Sequence, residues 1–164
     1  MTEARLHSIN VSNGGVPKRP CESCAVRRIG LEGDRQRDLE NHGGAERAVS
    51  VYSMERIDAL RAEGHPIAPG TIGENLTLAG LPWKELRPGV RLEVGEVVLE
   101  FASYAAPCQI IAASFSDGRV VRVSEKVSPG WSRLYARVLK EGTLRVGDRV
   151  RMLQAPSTGA NHGS

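Results

Sequence analysis

Aromatic side chains are scarce: Phe, Tyr and Trp together make up 4% of a 164-residue chain. The sequence is punctuated instead by 18 glycines and 9 prolines, which implies many turns and short strands. Long apolar runs are missing as well. None approaches the ~18 residues that a membrane-spanning helix needs, so no membrane partner is expected. The first residues, Met1 to His7, lack the apolar centre of a secretory signal, and a cytoplasmic protein is the expectation. Cysteine is limited to three residues, an odd number that suits reduced thiols better than a disulfide framework. The net charge of +3 permits an anionic ligand. Without a clustered basic face it is too small to argue for nucleic acid.

What is present reads as one domain, long enough to bury a core. Leu6 to Val11 alternates as a first strand and is broken by Ser12-Asn13-Gly14-Gly15. Ala48 to Tyr52 reads as a buried strand. Ser53 then caps a helix over Met54 to Glu63, with Met54, Ile57 and Leu60 on one face and Gly64 and Pro66 ending it. Leu76 to Leu78 is a short strand. Arg91–Val94 and Val97–Phe101 form a hairpin around Gly95-Glu96, with Leu92, Val94, Leu99 and Phe101 facing inward. Ile110 to Phe115 suits a short helix, Val120 to Val123 a strand, and Ser132 to Lys140 a further strand. No βαβ alternation is evident. The expected architecture is mostly β, a single-domain closed or nearly closed β-barrel with one or two short helices. The Ser/Gly/Asn-rich stretch 155–164 is expected to be a flexible tail beyond a domain at 1–154.

Several stretches carry possible chemistry. Cys108 follows Pro107 where a strand gives way, a geometry that suits a presented thiol and equally a small buried corner residue. Cys21-Glu22-Ser23-Cys24 has metal-ligand spacing, but zinc normally takes four ligands and no second pair is present, so no zinc is expected. Gly30 to Arg35 sets Asp34 and Arg35 beside two glycines, as an anion-binding turn or as a surface ion pair. His42 with Arg47 offers a proton donor and a cation, or merely a polar turn. Glu74 and Asn75 could meet amide edges of a ligand or cap a turn. Lys18, Arg133 and Arg137 are further cations.

Taken in order, these stretches carry more than any one of them. Asn10–Lys18 (NVSNGGVPK), Gly30–Arg35 (GLEGDR), His42–Val49 (HGGAERAV), Gly73–Leu76 (GENL), Pro88–Gly95 (PGVRLEVG) and Pro107-Cys108 together resemble the MOSC family, the molybdenum cofactor sulfurase C-terminal domain. Pro129 to Val138 resembles the ending of its small stand-alone bacterial branch. The resemblance spans roughly residues 6 to 153. It implies a barrel like that of pyruvate kinase, and a molybdenum cofactor (molybdopterin) whose metal is ligated by Cys108, the catalytic cysteine. Lys18, Asp34, Arg35, His42, Arg47, Glu74, Asn75 and Arg133 would bind the pterin and its phosphate. It further implies reduction of small N-hydroxylated substrates. Since no ferredoxin-like region is evident, the electrons would come from a separate electron-donor protein. Two alternatives stand beside this: a persulfide sulfur carrier at Cys108, and a non-catalytic module binding a small anion.

Overall fold

A computed structural model describes residues 3–34 and 45–153. Arg35, His42 and the 155–164 tail lie outside the described residues. Eleven strands are formed: β1 (Arg5–Val11), β2 (Arg19–Cys21), β3 (Ser23–Arg27), β4 (Gly30–Leu31), β5 (Val49–Ser53), β6 (Leu76–Ala79), β7 (Arg91–Val94), β8 (Val97–Ala105), β9 (Arg133–Lys140), β10 (Gly142–Arg145) and β11 (Val150–Leu153). Among the described residues one α-helix, α1 (Met54–Ala62), and short 3₁₀ turns accompany the strands. Among the described residues no helix is long and apolar enough to cross a membrane.

Eight strands make one sheet in the order β11-β7-β8-β9-β5-β6-β1-β2, and β10-β3-β4 make a second. The sheet curls until β1 approaches the start of β11. There Leu6 N–H donates to the Asp148 carbonyl at 2.8 Å and Val150 N–H to the Ala4 carbonyl at 3.0 Å. A single bridge, Arg5 to Arg149, joins the two margins. The expected closure is thus met only in part: neither sheet closes into a barrel through a continuous ladder. A short edge strand, β2, occupies the other side of β1 at Ile9–Val11 and takes the bonds that closure there would have used.

The local expectations mostly hold. Val94 pairs with Val97 across Gly95-Glu96, and Leu92, Val94, Leu99 and Phe101 are all buried. The Ser53 side chain accepts from the Arg56 N–H at 3.1 Å, capping α1, a contact generally worth about 1 kcal/mol. Ile57 and Leu60 anchor that helix in the core at 0% exposure, each contributing roughly 1.5–3 kcal/mol. β9 runs over the expected stretch, and β8 extends four residues past Phe101 to Ala105.

Two expectations fail. Val120–Val123 is a 3₁₀ turn rather than a strand. Val120 and Val123, three residues apart, both go inward, so a period of three wins over the alternation. One βαβ unit also exists: β5 and β6 pair in parallel, with α1 in the crossover between them. It is a single unit among the described residues, in a sheet whose other pairings are antiparallel.

Candidate functional site

Gly70 fixes the heart of the site. Its φ is +85°, and a Cβ there would stand 2.4 Å from the Lys18 carbonyl oxygen, so only glycine permits this approach. In return the Lys18 N–H donates to the Gly70 carbonyl at 2.8 Å. The segment between β1 and β2 is thereby strapped to the loop that precedes β6.

Lys18 then reaches Asp34, just beyond β4. Its Nζ lies 2.7 Å from Asp34 Oδ1, with the two side chains 9% and 4% exposed. Asp34 also accepts from the Ser12 N–H at 2.9 Å and from Asn75 Nδ2 at 3.0 Å. Asn75 ties three elements together. It donates to the Asn10 carbonyl in β1 at 3.2 Å, and its Oδ1 accepts from the Ser50 N–H in β5 at 3.0 Å. Its own N–H, just ahead of β6, donates to the Ser50 carbonyl at 2.8 Å.

Glu74 faces the core with no exposed surface. Its Oε2 accepts from the Gly70 N–H and the Thr77 hydroxyl, both at 3.0 Å, while Oε1 has no partner among the described residues. Burial pushes its carboxyl above the ordinary value of 4.5, despite those donors and nearby Arg133. Glu74 therefore holds the Gly70–Asn75 loop from within the core.

Arg133 opens β9 and is 7% exposed. Its Nη1 donates to the Ile72 carbonyl at 3.0 Å, and its Nε has no partner among the described residues. The register sets it opposite Ala105, the last residue of β8. Cys108 follows three residues later and is exposed, whereas Cys24 is buried and Cys21 partly so. The buried-corner alternative for Cys108 is thus removed. The 3₁₀ turn Gln109–Ser114 runs back from Cys108, and the Ser114 hydroxyl donates to the Thr71 carbonyl at 3.2 Å. Two links therefore join the cysteine segment to the Gly70–Asn75 loop, one through Arg133 and one through Ser114.

Arg47 sits in a 3₁₀ turn, with its guanidinium 5.5 Å from the centroid of the Tyr135 ring. Arg137 is engaged elsewhere, by Glu100 and Glu46. Among the described residues no polar contact connects Cys108 directly to Lys18, Arg47 or Arg133. The cysteine pair lies apart. Cys24 donates to the Glu32 carbonyl at 3.2 Å, and burial pushes its thiol up to about 11. No group of three or more His, Cys, Asp or Glu placed to hold a metal occurs among the described residues.

Ser50, Gly70 and Thr77 join this network without having been singled out in the sequence, and Asn10 entered there only as the start of the Asn10–Lys18 stretch. Asn10, buried between Ile9 and Val11, was legible as an uncompensated polar residue in an apolar strand, but its partners Glu74 and Thr77 were not.

The MOSC domain profile matches residues 38–151. The chain belongs to the MOSC family. YflK, an uncharacterized protein of Bacillus subtilis, is 33% identical over 147 residues, covering 88% of this chain and 66% of YflK. A reductase of Gibberella moniliformis is 30% identical over 133 residues, covering 77% of this chain and 23% of that protein. The chain thus spans slightly under two-thirds of the first relative and under a quarter of the second. The crystal structure of YiiM from Geobacillus stearothermophilus superposes with a TM-score of 0.71 at 23% identity, covering 92% of this chain and 75% of that one. That likeness establishes the MOSC fold, and the network around Gly70 and Asn75 is how this chain builds the loop end of it.

Proposed function

We propose that this MOSC domain binds a molybdenum–pterin cofactor at the loop end where Cys108 is exposed, with the Cys108 sulfur as protein ligand to the metal. The observation that carries the reading is exposure: of the three cysteines, the one after Pro107 is exposed, while Cys24 is buried and Cys21 partly so. A soft thiolate suits such a metal, and a ligand must be reachable. The donor set fits the rest of the group. The Arg133 Nε is buried without a partner among the described residues, an unsatisfied donor that an anionic oxygen would satisfy on reaching it. Asp34 and Asn75 hold the Lys18 segment against the Gly70 loop, which gives the pterin side a fixed wall. Arg35 and His42 belong to the same proposal and lie outside the described residues.

The cofactor, when bound, supplies two-electron redox chemistry, and the protein supplies placement. The reaction we infer is reduction of a small N-hydroxylated compound to the parent amine and water, with two electrons from a separate donor protein and two protons from solvent. The reductase among the relatives favours a redox role over a purely binding one. A persulfide at Cys108 is supported by the same exposure.

The test is the molybdenum and pterin content of protein purified from a molybdenum-replete host, for wild type and Cys108→Ser. Metal in the first and its loss in the second support the ligand role. Equal metal in both, or none in either, rejects it. A mass increment of one sulfur atom on Cys108, with no molybdenum, selects the carrier.

A further inference from the structure

A cleft of about 270 Å³ opens beside β8, lined by Trp83, Lys84, Tyr104, Glu125 and the 129–132 loop. That volume is just below the roughly 300–1,000 Å³ of drug-sized sites, so it suits a ligand of a single ring.

Its walls are built. The Gly130 N–H donates to Glu125 Oε1 at 3.1 Å, and Arg56 Nε donates to the Gly130 carbonyl at 3.1 Å. The Tyr52 hydroxyl donates to the Trp131 carbonyl at 2.7 Å, and Trp83 Nε1 to the Ser132 carbonyl at 3.1 Å. The guanidinium groups of Arg56 and Arg122 lie 4.3 and 4.9 Å from the Trp131 ring centre, which pins that ring as well. Gly130 turns the wall at a φ of +87°, a conformation that favours glycine, with Lys84 in ordinary contact range across the cleft.

These contacts engage the Gly130 N–H and the carbonyls of Gly130, Trp131 and Ser132, and they leave three side-chain functions free among the described residues. Lys84 has no hydrogen bond or ion pair among the described residues. The Tyr104 ring is 37% exposed, and its hydroxyl makes no hydrogen bond there. Burial, and then Glu125, push that phenol up, so it remains a neutral donor near pH 7. Glu125 spends one oxygen on Gly130 and keeps the other. The cleft therefore offers two donors, an aromatic face and one acceptor.

We propose that this cleft binds a flat, single-ring organic carboxylate, with the Lys84 ammonium and Tyr104 hydroxyl on the acid and Glu125 accepting from an N–H or O–H at the far end of the ring. The inference deepens the proposed function, on which it rests only in taking this ligand as the organic part of the substrate. Cys108 follows Tyr104 by four residues. An extended chain of that length spans at most ~14 Å. Ser132 on the cleft wall also donates to the Ala105 carbonyl at 3.3 Å, tying the wall to the segment that leads to the cysteine.

The experiment is an amide-resolved NMR titration of the purified protein, without added cofactor, with 4-aminobenzoate and its uncharged analogue 4-aminobenzamide. The expected result is saturable shifts at Tyr104 and Gly130, with the acid binding about five- to tenfold tighter than the amide, as a partly exposed charge-assisted contact gives. Lys84→Gln, an exposed and structurally idle position, brings the acid to the amide's affinity. Equal affinity of acid and amide, no effect of Lys84→Gln, or saturable shifts elsewhere or nowhere would overturn the proposal. Because this readout needs no molybdenum, its failure leaves the Cys108 reading standing, and loss of that reading leaves the cleft result unaffected.

Discussion

Lys18 Nζ and Asp34 Oδ1 stand 2.7 Å apart, with both side chains almost entirely out of water. Sixteen residues separate them in sequence. A buried pair of this kind adds little net stability compared with a well-packed apolar pair, yet breaking it on one side is costly because a charge is left behind.

Asp34→Ala is accordingly expected to destabilise the fold by about 3–5 kcal/mol. It strands the Lys18 ammonium and also unpairs the Ser12 N–H and Asn75 Nδ2. Lys18→Met leaves Asp34 with those two donors and should cost less. Urea unfolding of the two variants gives the order directly, and a larger loss in Lys18→Met would contradict it.

Glu74 should make stability depend on pH in the sense opposite to a salt-bridged carboxylate. Its folded value is raised above 4.5 by burial, so between the unfolded and folded values the native state binds more protons than the unfolded state. Its contribution is then full at low pH and is lost as pH rises from about 4.5 through the folded value. Glu74→Gln keeps an acceptor for Gly70 and Thr77 and removes the titration. Wild type minus variant, measured by urea unfolding from pH 4.5 to 8, should fall as pH rises above 4.5 and level off past the folded value. A flat or rising difference would refute the assignment.

The thiols should separate cleanly under a disulfide reagent. Cys108 is exposed, whereas Cys24 is buried with its thiol pushed up to about 11, which leaves roughly a thousandth as thiolate at pH 8. Burial raises Cys21 as well. Native protein should show one fast-reacting thiol, absent in Cys108→Ser, and all three after denaturation. A fast phase that survives in Cys108→Ser would place the reactive thiol elsewhere.

Much of the local fold was legible. Ser53 ahead of an apolar-periodic segment is a cap wherever it occurs, and Gly95-Glu96 between alternating runs forms a hairpin, because both depend on neighbours within a few residues. Val120–Val123 was misread for the same reason. Four residues fit alternation and a 3₁₀ turn alike, and only the packing of Val120 and Val123 decides between them. The parallel pairing of β5 with β6 was also hidden, since pairing direction is set by where the crossover packs.

The site was legible to a lesser degree. By itself, the order of the stretches Asn10–Lys18, Gly30–Arg35, His42–Val49, Gly73–Leu76, Pro88–Gly95 and Pro107-Cys108 determined the family. Only the tertiary structure decided their stations. Glu74 turned inward to hold the loop, Asn75 joined β1 to β5, Asp34 neutralised Lys18, and Cys108 came to the surface. Local chemistry is written in residue types and near spacing. Burial and pairing depend on strands brought together from distant parts of the chain, and they decide which polar group meets water and which meets another residue.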